Sequence, residues 1–64
     1  MYKFAVGDVL TGTQGNNILF LVLQARNFSY TCLILWSRFP ELTSKALAYK
    51  MEFIEDYFVC INLL

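Results

Sequence analysis

From Tyr30 onward the chain alternates, with Tyr30, Cys32, Ile34 and Trp36 on one side and Thr31, Leu33, Leu35 and Ser37 on the other. A period of two over eight residues predicts a β-strand. Upstream, Ile18 to Leu23 is apolar at six successive positions and runs on to Arg26. Such a run is apolar on both faces, so periodicity alone does not separate strand from helix. Ile18, Val22 and the polar segment before them favour a strand. Between the two runs, Arg26-Asn27-Phe28-Ser29 reads as a turn, because Asn27 accepts a positive φ. The two strands should therefore pair as an antiparallel hairpin. Ahead of them, Thr11 to Asn17 holds no apolar residue and predicts a loop. The first strand signal runs from Phe4 to Leu10, with turn chemistry at Gly7-Asp8.

Beyond Arg38-Phe39-Pro40 two patterns compete. Pro40 cannot donate to a ladder and marks a break. Glu41 to Phe58 has good helix propensity, with Glu41 and Lys45 as an i,i+4 pair and Pro40 at a suitable first helical position. Leu47, Tyr49, Met51 and Phe53 also alternate with Ala48, Lys50, Glu52 and Ile54, which fits a half-buried strand through Glu52. On that reading Glu55 to Phe58 is a helical turn and Val59 to Ile61 a last short strand.

Length makes residues 1–64 one small domain. Hydrophobic residues make up 58% of it, more than so small an interior can cover, so large apolar side chains are expected at the surface or against another chain. Five basic and five acidic residues cancel. That removes the repulsion that keeps small proteins apart. Lys3, Arg26, Arg38, Lys45 and Lys50 are dispersed, whereas phosphate backbones are gripped by clustered cations, so nucleic acid is a disfavoured partner. The apolar run Ile18 to Leu23 is far short of the ~20 residues that cross a bilayer. Asp8 stands where a secretory signal would be apolar. A soluble, cytoplasmic protein is expected, with Cys32 and Cys60 as buried, reduced apolar residues.

Phe4-Ala5-Val6-Gly7-Asp8-Val9-Leu10 resembles the opening of small SH3-like β-barrels of the Tudor, chromo and KOW type, in which a Gly-Asp turn leads into the first strand. Tyr30 to Trp36 is similar to their central aliphatic strand ending in Trp. Tyr49, Phe53-Ile54-Glu55-Asp56-Tyr57-Phe58 and Ile61 resemble their closing strand, 3-10 turn and last short strand. The resemblance covers most of the chain except Arg38 to Ala46, where Phe39-Pro40-Glu41-Leu42-Thr43-Ser44 replaces the usual Gly between the third and fourth strands. It implies a mainly β, five-stranded barrel with a 3-10 turn near the C-terminus; the alternative is a three-stranded antiparallel sheet plus a C-terminal helix. Short chains of this pattern are common among phage-encoded proteins, which would place this one in a host cytoplasm.

No His is present, which removes His-based acid/base chemistry, His-activated nucleophiles and the commonest metal ligand. Two Cys alone do not make a zinc site. Gly12 to Asn17 lacks the Lys of a phosphate loop. Glu52, Glu55 and Asp56 form a solvated acidic face, since a small barrel leaves no cleft to split carboxylate pKa values. No enzyme activity, cofactor or metal is expected.

Six Phe, four Tyr and one Trp exceed what one small core encloses. Trp36, Phe39, Tyr49, Tyr57 and Phe58 fall near the break and the closing turn, the region that lines the ligand groove in SH3-like barrels. Large rings with few rotors are favoured interface anchors. These five are the expected partner-binding residues of a protein-interaction module, with a host protein or a second copy of the chain as partner. Two other functions compete with it: a nucleic-acid-binding barrel using Arg26, Arg38, Lys45 and Lys50, and a structural piece of a larger assembly.

Overall fold

The central hairpin closes on two residues, Asn27 (φ 54°) and Phe28 (φ 58°), both left-handed. A two-residue turn with both φ values positive matches the twist of the strands it joins. In the computed structural model, which describes residues 1–15 and 17–61, it connects β2 (Ile18–Arg26) to β3 (Ser29–Ser37). The expected hairpin is therefore present, with a tighter turn than the four residues assigned to it.

The remaining strands are β1 (Val9–Gly12), β4 (Ala46–Lys50) and β5 (Phe58–Cys60), and α1 (Met51–Tyr57) lies between the last two. All five strands form one antiparallel sheet in the order β4-β3-β2-β1-β5. The protein is mainly β, and five strands replace the three-stranded alternative. The sheet is open, because β4 and β5 are its two edges. Between them sits α1, whose Ile54 is buried in the core.

Two irregularities shape this sheet. Leu19 pairs with Trp36 and Phe20 with Ile34, which leaves Leu35 as an extra residue on β3. Val22 pairs with Cys32 and Gln24 with Thr31, which leaves Leu23 extra on β2. Each bulge bends its strand and increases the local twist. The curl brings the edges together over one ring: Phe20 of β2 stacks on Tyr49 of β4 (5.0 Å between centroids) and on Phe58 of β5 (4.8 Å). Leu10, Phe20, Val22, Tyr30, Cys32 and Ile34 line the concave face and make the core.

Several sequence expectations are corrected. Trp36 does not share a face with Tyr30, Cys32 and Ile34. The bulge at Leu35 turns it outward and leaves Ser37 buried in its place. The first strand begins at Val9 rather than Phe4. Before it, Ala5 to Asp8 form a turn in which the Asp8 amide donates to the Ala5 carbonyl (3.0 Å) and the Ala5 amide to Asp8 Oδ2 (3.0 Å). Gly7 holds φ 96° in that turn, a value suited to glycine. Thr11 and Gly12 are strand rather than loop, because β5 supplies them with partners, Val59 and Phe58.

The stretch from Glu41 to Phe58 divides. Pro40–Leu42 is a 3-10 turn with Pro40 in its first position, too short to join Glu41 to Lys45. The strand ends at Lys50, not Glu52. Where a 3-10 turn was expected near Glu55 to Phe58, the seven residues of α1 form α-helix. Met51 and Ile54 fall at i and i+3, so a helix turns both toward the sheet, and Phe58 resumes extended backbone (φ −131°, ψ 154°) as the first residue of β5. Here the packing outweighs the run of alternation.

Candidate functional site: an aromatic groove

Pro40 and the residue before it set one wall of a groove. Phe39 is extended (φ −107°, ψ 97°), as a residue preceding proline must be, and its amide donates to Ser37 Oγ (3.1 Å). The connection is then tied back to β3: the Ser44 amide donates to the Ile34 carbonyl (2.7 Å) and the Ile34 amide to the Lys45 carbonyl (2.8 Å). Ser44 holds φ 73°, a left-handed conformation that glycine adopts most easily.

The opposite wall comes from α1 and β4. Phe53 stands on the helix between Tyr49 (6.0 Å between centroids) and Phe58 (5.8 Å). Phe20 and Phe58 form the floor. The resulting groove encloses about 290 Å³ and is lined by Ile18, Phe20, Ser37, Arg38, Phe39, Leu42, Tyr49, Phe53 and Phe58. Five of these nine side chains are aromatic and only Arg38 is charged. Phe39 (53% exposed) and Phe53 (42%) form open rims, while the floor is buried.

Three of the five expected binding residues, Phe39, Tyr49 and Phe58, meet in this groove. Phe58 is there as a core ring whose face is the groove floor. Burial, with the nearby Cys32 adding to it, pushes the Tyr49 phenol above its ordinary pKa, so it stays neutral and acts as an apolar wall with a polar tip. Tyr57 lies outside the lining, on the far side of Phe53 (5.6 Å), where its carbonyl accepts from Thr13 N (2.9 Å) and Oγ1 (3.2 Å). Trp36 stands on the convex face of the sheet.

Sequence reasoning missed Phe53, Leu42, Ile18 and Phe20 as lining residues. Phe53 was hidden because the alternation through Met51 gave it a strand's phase. Helical spacing from Tyr57, at i−4, would have revealed it. It also missed Phe28, which is 74% exposed at the hairpin tip. There the Phe28 amide donates to the Tyr2 hydroxyl (2.8 Å) and its carbonyl accepts from the Met51 amide (2.9 Å).

Chemically the groove offers apolar area and one guanidinium. Among the described residues no group of three or more Cys, Asp or Glu is placed to hold a metal ion. Cys32 and Cys60 are buried and unbridged, and burial pushes the Cys32 thiol up to about 11. Arg26 and Lys50 flank Ser29 at one end of β3, while Arg38 and Lys45 lie toward the other, so the cations form no single stripe. Among the described residues no helix is long and apolar enough to cross a membrane. No family model, curated protein or solved structure matches the chain.

Proposed function

We propose that the chain is a protein-interaction module whose aromatic groove takes a bulky apolar side chain from a partner protein. The groove itself carries this reading: about 290 Å³ with five aromatic walls and a single charge. That volume lies at the lower edge of cofactor-sized sites, and it suits one or two side chains. Buried aromatic pockets of this kind are where binding energy concentrates in protein interfaces. Arg38 at the rim favours a partner segment with a carboxylate beside its anchor. The strand order, the two bulges and the helix in the gap between β4 and β5 support reading the fold as an SH3-like barrel. With that resemblance comes a phage-encoded module that masks a host protein's surface.

The test is a pull-down from host extract with the native chain and with Phe53→Ala, at low and high salt. A partner held by the native chain at both salt levels and lost by Phe53→Ala is the expected result. Equal capture by both chains would remove the groove from the interface. A complex that collapses steeply as salt rises would favour the nucleic-acid reading through Arg26, Arg38, Lys45 and Lys50.

A further inference from the structure

A sheet with one face in water normally alternates apolar inward and polar outward. This one does not. On its convex face, β2 and β3 carry Leu19, Leu21, Leu23, Leu33, Leu35 and Trp36, with the paired Gln24 and Thr31 as polar neighbours and no charged side chain among them. Leu23, Leu35 and Trp36 are exposed, and Trp36, the chain's one tryptophan, is 51% open. Strands apolar on both faces belong to sheets covered on both faces. The core and α1 cover only the concave one.

We propose that the convex face packs against the same face of a second copy, making a two-sheet sandwich with the Leu21–Leu33 pair near its centre. Charge and orientation select a second copy as the occupant. A standard interface takes ~800 Å² from each partner. That is just under one-fifth of the 4309 Å² surface of the single chain. The chain's net charge is zero, so no repulsion opposes pairing. The first charges met on this face are Arg26 and Lys50, both at the hairpin end, beside Ser29. A two-fold axis across the strands holds the two cationic ends apart and sets each beside the other copy's Trp36, a favourable cation–aromatic arrangement. The groove opens on the opposite, concave side of these strands, where Ile18, Phe20 and Ser37 line it, and stays open in such a dimer, so this inference stands independently of the proposed function.

Sedimentation of the native chain from about 1 to about 100 µM populates a dimer held with micromolar or tighter affinity. The expected result is a species of twice 7.4 kDa that persists as salt rises. Trp36 fluorescence should shift to the blue and lose acrylamide quenching over the same concentrations. Trp36→Glu should raise the dimer dissociation constant at least a hundredfold. Thr43→Glu, an equal charge change on the exposed β3–β4 connection, should leave it unaltered. A native chain that stays at 7.4 kDa throughout overturns the proposal and assigns the face to a different protein. So does a dimer in which Trp36 remains fully quenchable, a measurement that needs no variant to fold. Equal weakening by both substitutions overturns it as well.

Discussion

Tyr30 is the residue whose polar group the fold uses most, and Tyr30→Phe is the sharpest test of the packing. Its ring is fully buried, with Tyr2 edge-on (5.5 Å) and Phe4 tilted against it (5.9 Å). Its hydroxyl donates to Glu55 Oε2 (2.5 Å) and accepts from the buried Phe4 amide (3.1 Å). The Lys3 amide donates to the same carboxylate oxygen (2.9 Å). One oxygen thus joins β3, α1 and the segment before β1. Phenylalanine keeps the ring and removes only that link.

A hydrogen bond to a charged group is worth about 1.5–3 kcal/mol, and an orphaned buried amide costs a similar amount. Because Lys3 still holds the carboxylate, we expect Tyr30→Phe to lose about 2 kcal/mol. A domain of this length has a total stability of roughly 6 kcal/mol, so the loss is about a third. The melting temperature should fall by about 8–16 °C. Glu55→Gln keeps an acceptor but not its charge, and should cost about half as much.

The pH dependence gives a second readout. The Tyr30 hydroxyl first, and then the Lys3 amide, hold the Glu55 carboxyl below its ordinary value of 4.5. A depressed carboxylate stabilises the fold above its unfolded pKa, and that contribution is lost as pH falls through and below the ordinary range. The native chain should therefore lose more stability on acidification than Tyr30→Phe does. At the alkaline end, burial first and then the bond to Glu55 push the Tyr30 phenol from 10.0 up to about 12. The folded chain keeps that proton while the unfolded chain releases it. Stability should thus fall as pH rises from about 10 toward about 12, and this slope should be shallower in Tyr30→Phe, where the raised Cys32 and Tyr49 groups remain. Urea unfolding followed by circular dichroism, at one fixed protein concentration, measures all of this. A Tyr30→Phe chain within about 0.5 kcal/mol of native, or with the native acid slope, would refute the reasoning.

Two further outcomes follow from local geometry. Phe28 is a bulky residue at φ 58° whose ring meets water over most of its surface. Phe28→Gly creates Asn-Gly, the preferred pair for this turn, and should raise stability by about 0.5–1 kcal/mol in urea titration; a loss would show that the ring has a structural role. Cys32 and Cys60 are both buried, and thiolate is the reactive form, so Ellman's reagent should react slowly with the native chain and promptly with two thiols in denaturant. Cys60, on a three-residue edge strand, should precede Cys32.

The hairpin was legible because its signals are local. Six apolar positions, an Asn able to adopt positive φ and an alternating strand agree on one structure. The β4-to-α1 junction was not legible, because the change of period at Met51 depends on Ile54 reaching the core while Phe58 joins the sheet in β5. The start of β1 was obscured for a related reason. Phe4 is a core residue that packs from irregular backbone, held by Tyr30 rather than by a ladder. Apolar content was visible, but the element that delivers it was not.

Trp36 shows how one residue decides which surface an aromatic serves. Strict alternation from Tyr30 puts Trp36 in the core and Ser37 in water. The extra residue at Leu35 reverses both, since a shift of one position moves every following side chain to the other face. Ser37 then turns in to receive the Phe39 amide and helps shape the groove, while Trp36 turns out onto the leucine face. The groove and the convex face are thus two consequences of a single bulge. Because no local residue type announces that bulge, an aromatic cluster that looks like one site in the sequence is divided between two surfaces in the fold.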